Sequence, residues 1–259
     1  MTDIFGVWAL LIALVVTLLT LLWLKRRITR SLQELSMRLV DDPDVALIIY
    51  FVIVLPGVVI HELSHWLMAK VLGVRVSLPA IGPVRRGRSK RVSLGSVRVG
   101  KVDPVRASLI GMAPLLGGSA VILLIGNLVL GVGAFADVVA GQGVGGVLDA
   151  LGQMAQVGDF WLWLYLIFAV SNAMLPSESD MAAVRPVLIF LGIMAAVVLV
   201  FSGVRGISPG LVEGVNAIAG YLATAFGLTL AVDVVFMLVI LSVLLPVRWW
   251  HGVDLWTGH

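Results

Sequence analysis

Residues 61–65 read His61-Glu62-Leu63-Ser64-His65, two imidazoles four positions apart with a carboxylate beside the first. On a helix, positions i and i+4 share one face, so His61 and His65 can offer two nitrogens to one metal ion while Glu62 stays next to them. With zinc held there, metal-activated water is a hydrolytic nucleophile and Glu62 is placed to act as its general base. The same five-residue pattern also arises by chance on soluble amphipathic helices. The setting argues against chance, because the motif lies inside an apolar stretch, residues 45–72, long enough to cross a bilayer. Ionisable side chains at membrane depth are costly unless paired, ligated or hydrated.

The helices that must position this motif are announced by composition. Of 259 residues, 60% are hydrophobic and only 13% charged, and the mean hydropathy is +1.07. These values exclude an ordinary soluble globular domain and point to an integral membrane protein, with the lipid bilayer as its first partner. Cysteine is absent, so no disulfide and no thiolate ligand is available, and a zinc site must be built from His and carboxylates. The net charge of +3 comes mostly from one basic block. At a membrane surface such a block faces anionic lipid or sets topology, and no aromatic-interleaved pattern makes nucleic acid a partner. The apolar run 4–24 lacks a basic n-region and is followed by Lys25-Arg26-Arg27 rather than a cleavage site, so it reads as a retained membrane helix.

Six segments are long enough, or nearly so, to span: 4–24, 45–72, 107–131, 160–178, 186–203 and 224–246. The loop from Arg75 to Arg106 carries nine basic residues against one acid, Asp103, which places it in the cytoplasm by the positive-inside rule. Alternating crossings then put Arg185, Arg248 and both termini inside, and the motif towards the cytoplasmic end of its helix, in a multi-pass protein of the cell membrane. Lys25, Arg26, Arg27 and Arg30 disagree with this scheme. Within the basic loop, residues 74–78 and 91–99 alternate apolar and polar around Pro79, Gly82, Pro83 and Gly87, a strand-turn-strand signal whose open edge could add a peptide strand. The expected fold is an all-α polytopic membrane protein with about six transmembrane helices and a small β-hairpin after the HExxH helix. Residues 1–44 form an N-terminal helix and linker, 45–203 the catalytic core, and 204–259 an interfacial segment followed by the last crossing.

A catalytic zinc usually has three protein ligands and an open position. His251 and His259 lie beyond the last crossing and read as solvated tail residues. The better source of a third ligand is the stretch from Ser171 to Asp180, where Asn172, Pro176, Glu178 and Asp180 gather polar and helix-breaking residues at the cytoplasmic end of an apolar helix. Asp233, in the last crossing, reads as a helix-facing partner for a Ser or for backbone.

With both motifs in place, the chain resembles the site-2 protease family of intramembrane zinc metalloproteases. That family joins an HExxH transmembrane helix to a later helix with an Asn-Pro-rich segment ending in Asp-Gly. The resemblance covers about residues 45–203 and implies His61, His65 and Asp180 as zinc ligands, Glu62 as the catalytic carboxylate, and Asn172 and Pro176 at the substrate. Met181 stands where the family usually has Gly, Pro176 is the single proline of the segment, and Glu178 is a rival ligand. Gly111-Met112-Ala113-Pro114 looks like the family's Gly-Pro element between the motifs. The implied reaction is peptide-bond hydrolysis in or near the transmembrane segment of a protein substrate. The rival class is a non-enzymatic membrane protein, either a metal transporter or an inactive protease fold.

Overall fold

A computed structural model describes residues 3–85, 92–131, 156, 158–175, 180–182, 185 and 209–250. They are mostly helical: α1 (Asp3–Val40), α2 (Pro43–Val71), α3 (Pro104–Leu124, continued by a π turn over Ile125–Val129), α4 (Phe160–Met174) and α5 (Pro209–Trp250). A two-stranded antiparallel sheet of β1 (Ala80–Arg85) and β2 (Val92–Ser96) sits between α2 and α3. Among the described residues, three helices are long and apolar enough to cross a membrane: Pro43–Val71, Pro104–Val129 and Ala217–Trp250. The fourth, Phe160–Met174, is apolar but shorter. These helices are those of a membrane protein. The expected crossing at 186–203, residues 132–155 before α4 and the C-terminal His251 and His259 lie outside the described residues.

Local sequence explains where the helices begin. Asp42 caps α2, its carboxylate accepting from the Asp44 and Val45 amides at 2.8 and 3.2 Å, and Pro43 follows at the first helical position, where no amide is needed. Asp103 and Pro104 repeat the device at α3, with the Arg106 amide donating to Asp103 at 3.0 Å. Asp41, at φ 52°, makes the tight reversal between α1 and α2. Sequence sets two boundaries less well. α1 passes through the basic cluster to Val40, and α5 is one helix of 42 residues, so from Pro209 onward the expected interfacial segment is the first half of the last helix. Between Lys25 and Val40 there is no Gly or Pro to stop a helix.

Cross-helix contacts fix the direction of each element. Tyr165 donates to Ile53 O at 3.0 Å and His61 donates to Ala173 O at 2.8 Å, both at a separation of 112 residues, so α2 and α4 run parallel. α3 is antiparallel to α2, with His65 against Ile110 and Ser64 against Gly117. Phe168 stacks on Phe236 with ring centroids 4.2 Å apart, and Ser171 meets Asp233. Rising numbers on α4 therefore meet falling numbers on α5, and these two helices are antiparallel. Alternation through six crossings would have made them parallel. α5 accordingly starts on the side where α4 ends, and Arg248 lies at the end of the bundle opposite the basic loop, beside Glu34 of α1.

The interior is formed where α1 meets α4 and α5. Leu21, Leu24, Ile28 and Leu32 of α1, at helical spacing, pack with Phe168, Val170, Phe226 and Ile240. The opposite face of α1 exposes Val15, Val16, Leu19 and Trp23, as a lipid-facing surface does. α2 and α4 approach closely because Gly57 has no side chain: a β-carbon there would strike the Ala169 carbonyl. In the hairpin, Ala80 pairs with Ser96 and Arg85 with Val92, with a register shift between Ile81 and Val84. The expected first strand at 74–78 is reduced to one bridge, Val76 with Val99. The strand forms after Pro79 instead, and the shift absorbs Gly82-Pro83, where proline has no amide to give the ladder.

Candidate metal centre

α2 carries His61 and His65 one turn apart on the side facing α3 and α4. Each imidazole is held by a backbone carbonyl of a neighbouring helix. His61 Nδ1 lies 2.8 Å from Ala173 O, and His65 Nδ1 lies 2.7 Å from Ile110 O. A carbonyl can only accept, so both Nδ1 atoms carry hydrogen and both Nε2 atoms present lone pairs. The two carbonyls are available for definite reasons. Ala173 is in the last turn of α4, where carbonyls lack intrahelical partners. Ile110 is four residues before Pro114, which has no amide to return.

The freed Nε2 atoms face each other at 3.1 Å. Asp180 completes the group, with its Oδ2 3.6 Å from His61 Nε2 and its Oδ1 3.4 Å from His65 Nε2. Two lone pairs and a carboxylate converging in this way repel unless a cation lies among them. The fit to a metal can be tested on the edges of the triangle. Bonds of about 2.0–2.1 Å in a tetrahedron give ligand–ligand edges of about 3.3 Å; the two Nε2 atoms are 3.1 Å apart and each has a different Asp180 oxygen at 3.4 or 3.6 Å, and one donor atom from each residue can be chosen so that all three lie within 4.8 Å of one another. The donors are two imidazole nitrogens and a carboxylate oxygen, a set suited to zinc and its first-row neighbours. Among the described residues this is the group of His and acidic side chains that could hold a metal.

Glu62 is buried next to this group, 7% exposed, and is not one of the three donors. Strand β2 lies across it: a β-carbon at Gly95 would fall 2.6 Å from Glu62 Oε1. On the far side of His65, a cavity of about 210 Å³ opens against Asp180, lined by Val97, Val99, Val102, Ala107, Ile110 and Gly111. Its lining side chains are apolar except at the His65–Asp180 end, and its outer wall continues from β2. The site thus combines three converging donors, a separate buried carboxylate, a strand and a side-chain-sized recess.

His61, Glu62, His65 and Asp180 are brought together as the sequence suggests. Asn172 is elsewhere: its Nδ2 donates to Phe168 O at 2.9 Å and points towards Asp233 Oδ1 at 3.4 Å, within the α4–α5 interface. Asp233 accepts from Ser171 Oγ at 2.6 Å, the helix-facing role expected of it. Pro176 and Glu178 lie outside the described residues. Three contributors escape sequence reading. Gly95 sits in an alternating strand where any small residue would read alike. Lys25, which appears topological, donates to Leu175 O at 3.0 Å inside the bundle. Ile110 contributes only its carbonyl, although Pro114 four positions on is a usable signal. The chain matches no family model, no curated protein and no solved structure.

Proposed function

We propose that this chain is an intramembrane zinc metalloendopeptidase of the site-2 protease type, acting on the transmembrane segment of a protein substrate, with its site on the cytoplasmic side of the cell membrane. The observation that carries the reading is the convergence of His61 Nε2, His65 Nε2 and the Asp180 carboxylate beside a second buried acid, Glu62, among membrane-length apolar helices. His61, His65 and Asp180 would hold the zinc. When bound, zinc supplies Lewis acidity that polarises a scissile carbonyl and makes water more acidic. Glu62 takes a proton from the attacking water on its carboxylate and returns it to the departing amine. The Ala173 and Ile110 carbonyls keep both imidazoles in one tautomer and one orientation. β2 offers an extended template beside Glu62, so a substrate that has locally unwound can be held as a strand.

The test joins metal content to turnover. The purified chain should contain close to one zinc per molecule and cleave a quenched transmembrane peptide in proteoliposomes. Glu62→Gln should keep the zinc and lose turnover by about 10²- to 10⁴-fold, the usual contribution of a general base. Asp180→Asn should lose both zinc and cleavage, whereas Glu178→Gln should keep its zinc. Zinc lost from the Glu178 variant and kept in the Asp180 variant would move the third ligand. A Glu62→Gln chain that cleaves at the parental rate would end the protease mechanism.

A further inference from the structure

The last turn of α4 is held by polar links from three other helices within five residues. Ser171 Oγ donates to Asp233 Oδ1 at 2.6 Å, and Asn172 Nδ2 leans on the same oxygen at 3.4 Å. Ala173 O accepts from His61. Leu175 O accepts from Lys25 Nζ at 3.0 Å. Asp233 is 2% exposed and Leu175 is 2% exposed, so the links from α5 and α1 both lie in the interior. The Lys25 ammonium is also within electrostatic reach of Asp180 and Asp233. A half-buried lysine and a buried aspartate among apolar helices are expensive to keep, and neither belongs to the three-donor group or is the proton carrier. Helix association alone does not require them, since Leu21, Leu24, Ile28 and Leu32 of α1 already share one buried cluster with Phe226, Val232 and Ile240 of α5.

What the two charged residues have in common is the α4 end itself. That turn supplies the carbonyl that orients His61, and Asp180 follows it by only five residues in sequence. We infer that Lys25 and Asp233 are positioning residues for the metal centre, clamping residues 171–175 from opposite helices so that Ala173 O meets His61 and Asp180 reaches the two imidazoles. This inference rests on the metal-site reading proposed above. It gives α1 and α5, which carry no ligand, a direct part in the affinity of the site.

The sign of the effect separates positioning from electrostatics. Removing a cation near a metal site should, by charge alone, tighten binding of a divalent ion. Loss of position should weaken it, and outer supports of metal ligands are typically worth about 10- to 100-fold in affinity. Zinc affinity of the full chain in detergent would be measured by competition with a chromophoric chelator, for the parent, Lys25→Met, Lys25→Arg, Asp233→Asn and the double variant Lys25→Met/Asp233→Asn. The expectation is a loss of at least 10-fold in Lys25→Met, recovery towards parental affinity in Lys25→Arg, which can still donate to Leu175 O, and a persistent loss of at least 10-fold in the double variant. The double variant leaves no lone buried charge, so it remains measurable where a single variant fails to fold. Parental or tighter zinc binding in both Lys25→Met and the double variant would overturn the clamp while leaving the functional reading intact. A parent chain that binds no zinc would overturn both.

Discussion

Gly95 of β2 rests directly on the Glu62 carboxylate of α2, so close that a β-carbon would stand 2.6 Å from Oε1 and 2.7 Å from Cγ. The hairpin and the proposed proton carrier are therefore one packed unit, and the strand cannot carry any side chain at that position without moving one or the other. Gly95→Ala should displace Glu62 or lift β2 and reduce turnover by about 10²-fold, the scale associated with misplacement of a catalytic group by about 1 Å. Zinc content should stay parental, because the atoms nearest the added β-carbon belong to Glu62, which is not one of the three donors. A Gly95→Ala chain with unchanged turnover would show that the strand and Glu62 are independent.

Pro114 presents a case in which stability and metal affinity should move in opposite directions. A proline within a helix removes one hydrogen bond and costs about 3 kcal/mol or more in a soluble helix, yet here it leaves Ile110 O to hold His65 at 2.7 Å. Pro114→Ala restores an amide that competes for that carbonyl. The thermal midpoint of the metal-free protein should rise or hold, while zinc affinity falls by about 10- to 100-fold, as for other supports of metal-bound His. Unchanged zinc affinity would mean that the His65–Ile110 contact does not set the imidazole.

Much of the site is legible in the sequence because its logic is local. His61 and His65 share a helix face by spacing alone, and the two caps at Asp42 and Asp103 can be read from Asp-Pro pairs. The link to Asp180 also follows once the two polar ends are taken to lie at one depth. What the sequence hides is direction and reach. No residue in α1 or α5 signals that the helix continues past its apolar portion, and hydropathy cannot distinguish a crossing from a segment that returns to the same side. Lys25 shows the same limit: its charge counts towards loop topology in one dimension, whereas in three it faces the end of α4. The family resemblance implies Asn172 at the substrate, whereas its amide hydrogens are directed at Phe168 O and Asp233 within the α4–α5 interface.

Glu34 and Arg248 join the far ends of α1 and α5 with an Nε–Oε1 distance of 2.9 Å, and Arg38 adds a second donor at 2.9 Å. The Arg248 hydrogen bond, followed by that of Arg38, holds the Glu34 carboxyl below the ordinary carboxylate range despite partial burial. A depressed folded-state pKa means that the pair's stabilisation is fully present above the unfolded value, about 4.3 for Glu, and is lost as pH falls through the folded value. The side chains are 31% exposed, so the contribution is about 0.2–1 kcal/mol after solvent screening. Glu34→Gln should lower the thermal midpoint slightly at pH 7, and the gap should close under acid. A gap that persists or widens below the folded-state pKa would mean that packing, not charge, joins the two ends.

The antiparallel pairing of α4 and α5 makes a topological prediction that the cysteine-free chain is well suited to test. Asp42, in the turn between α1 and α2, and Trp250, at the end of α5, lie at one end of the bundle, because Glu34 and Arg248 meet there. Lys101 lies at the other end, beyond α2 and before α3. If the basic loop containing Lys101 faces the cytoplasm, as its nine positive charges favour, an impermeant thiol reagent should label Asp42→Cys and Trp250→Cys in intact cells. Lys101→Cys should be labelled only after permeabilisation. Labelling of Lys101→Cys alone from outside would invert the whole molecule and keep the bundle as described. Trp250→Cys behaving like Lys101→Cys would instead restore the six-crossing alternation and contradict the contacts of Phe168 with Phe236 and Ser171 with Asp233, because those contacts require α5 to leave the membrane on the side where α4 entered it.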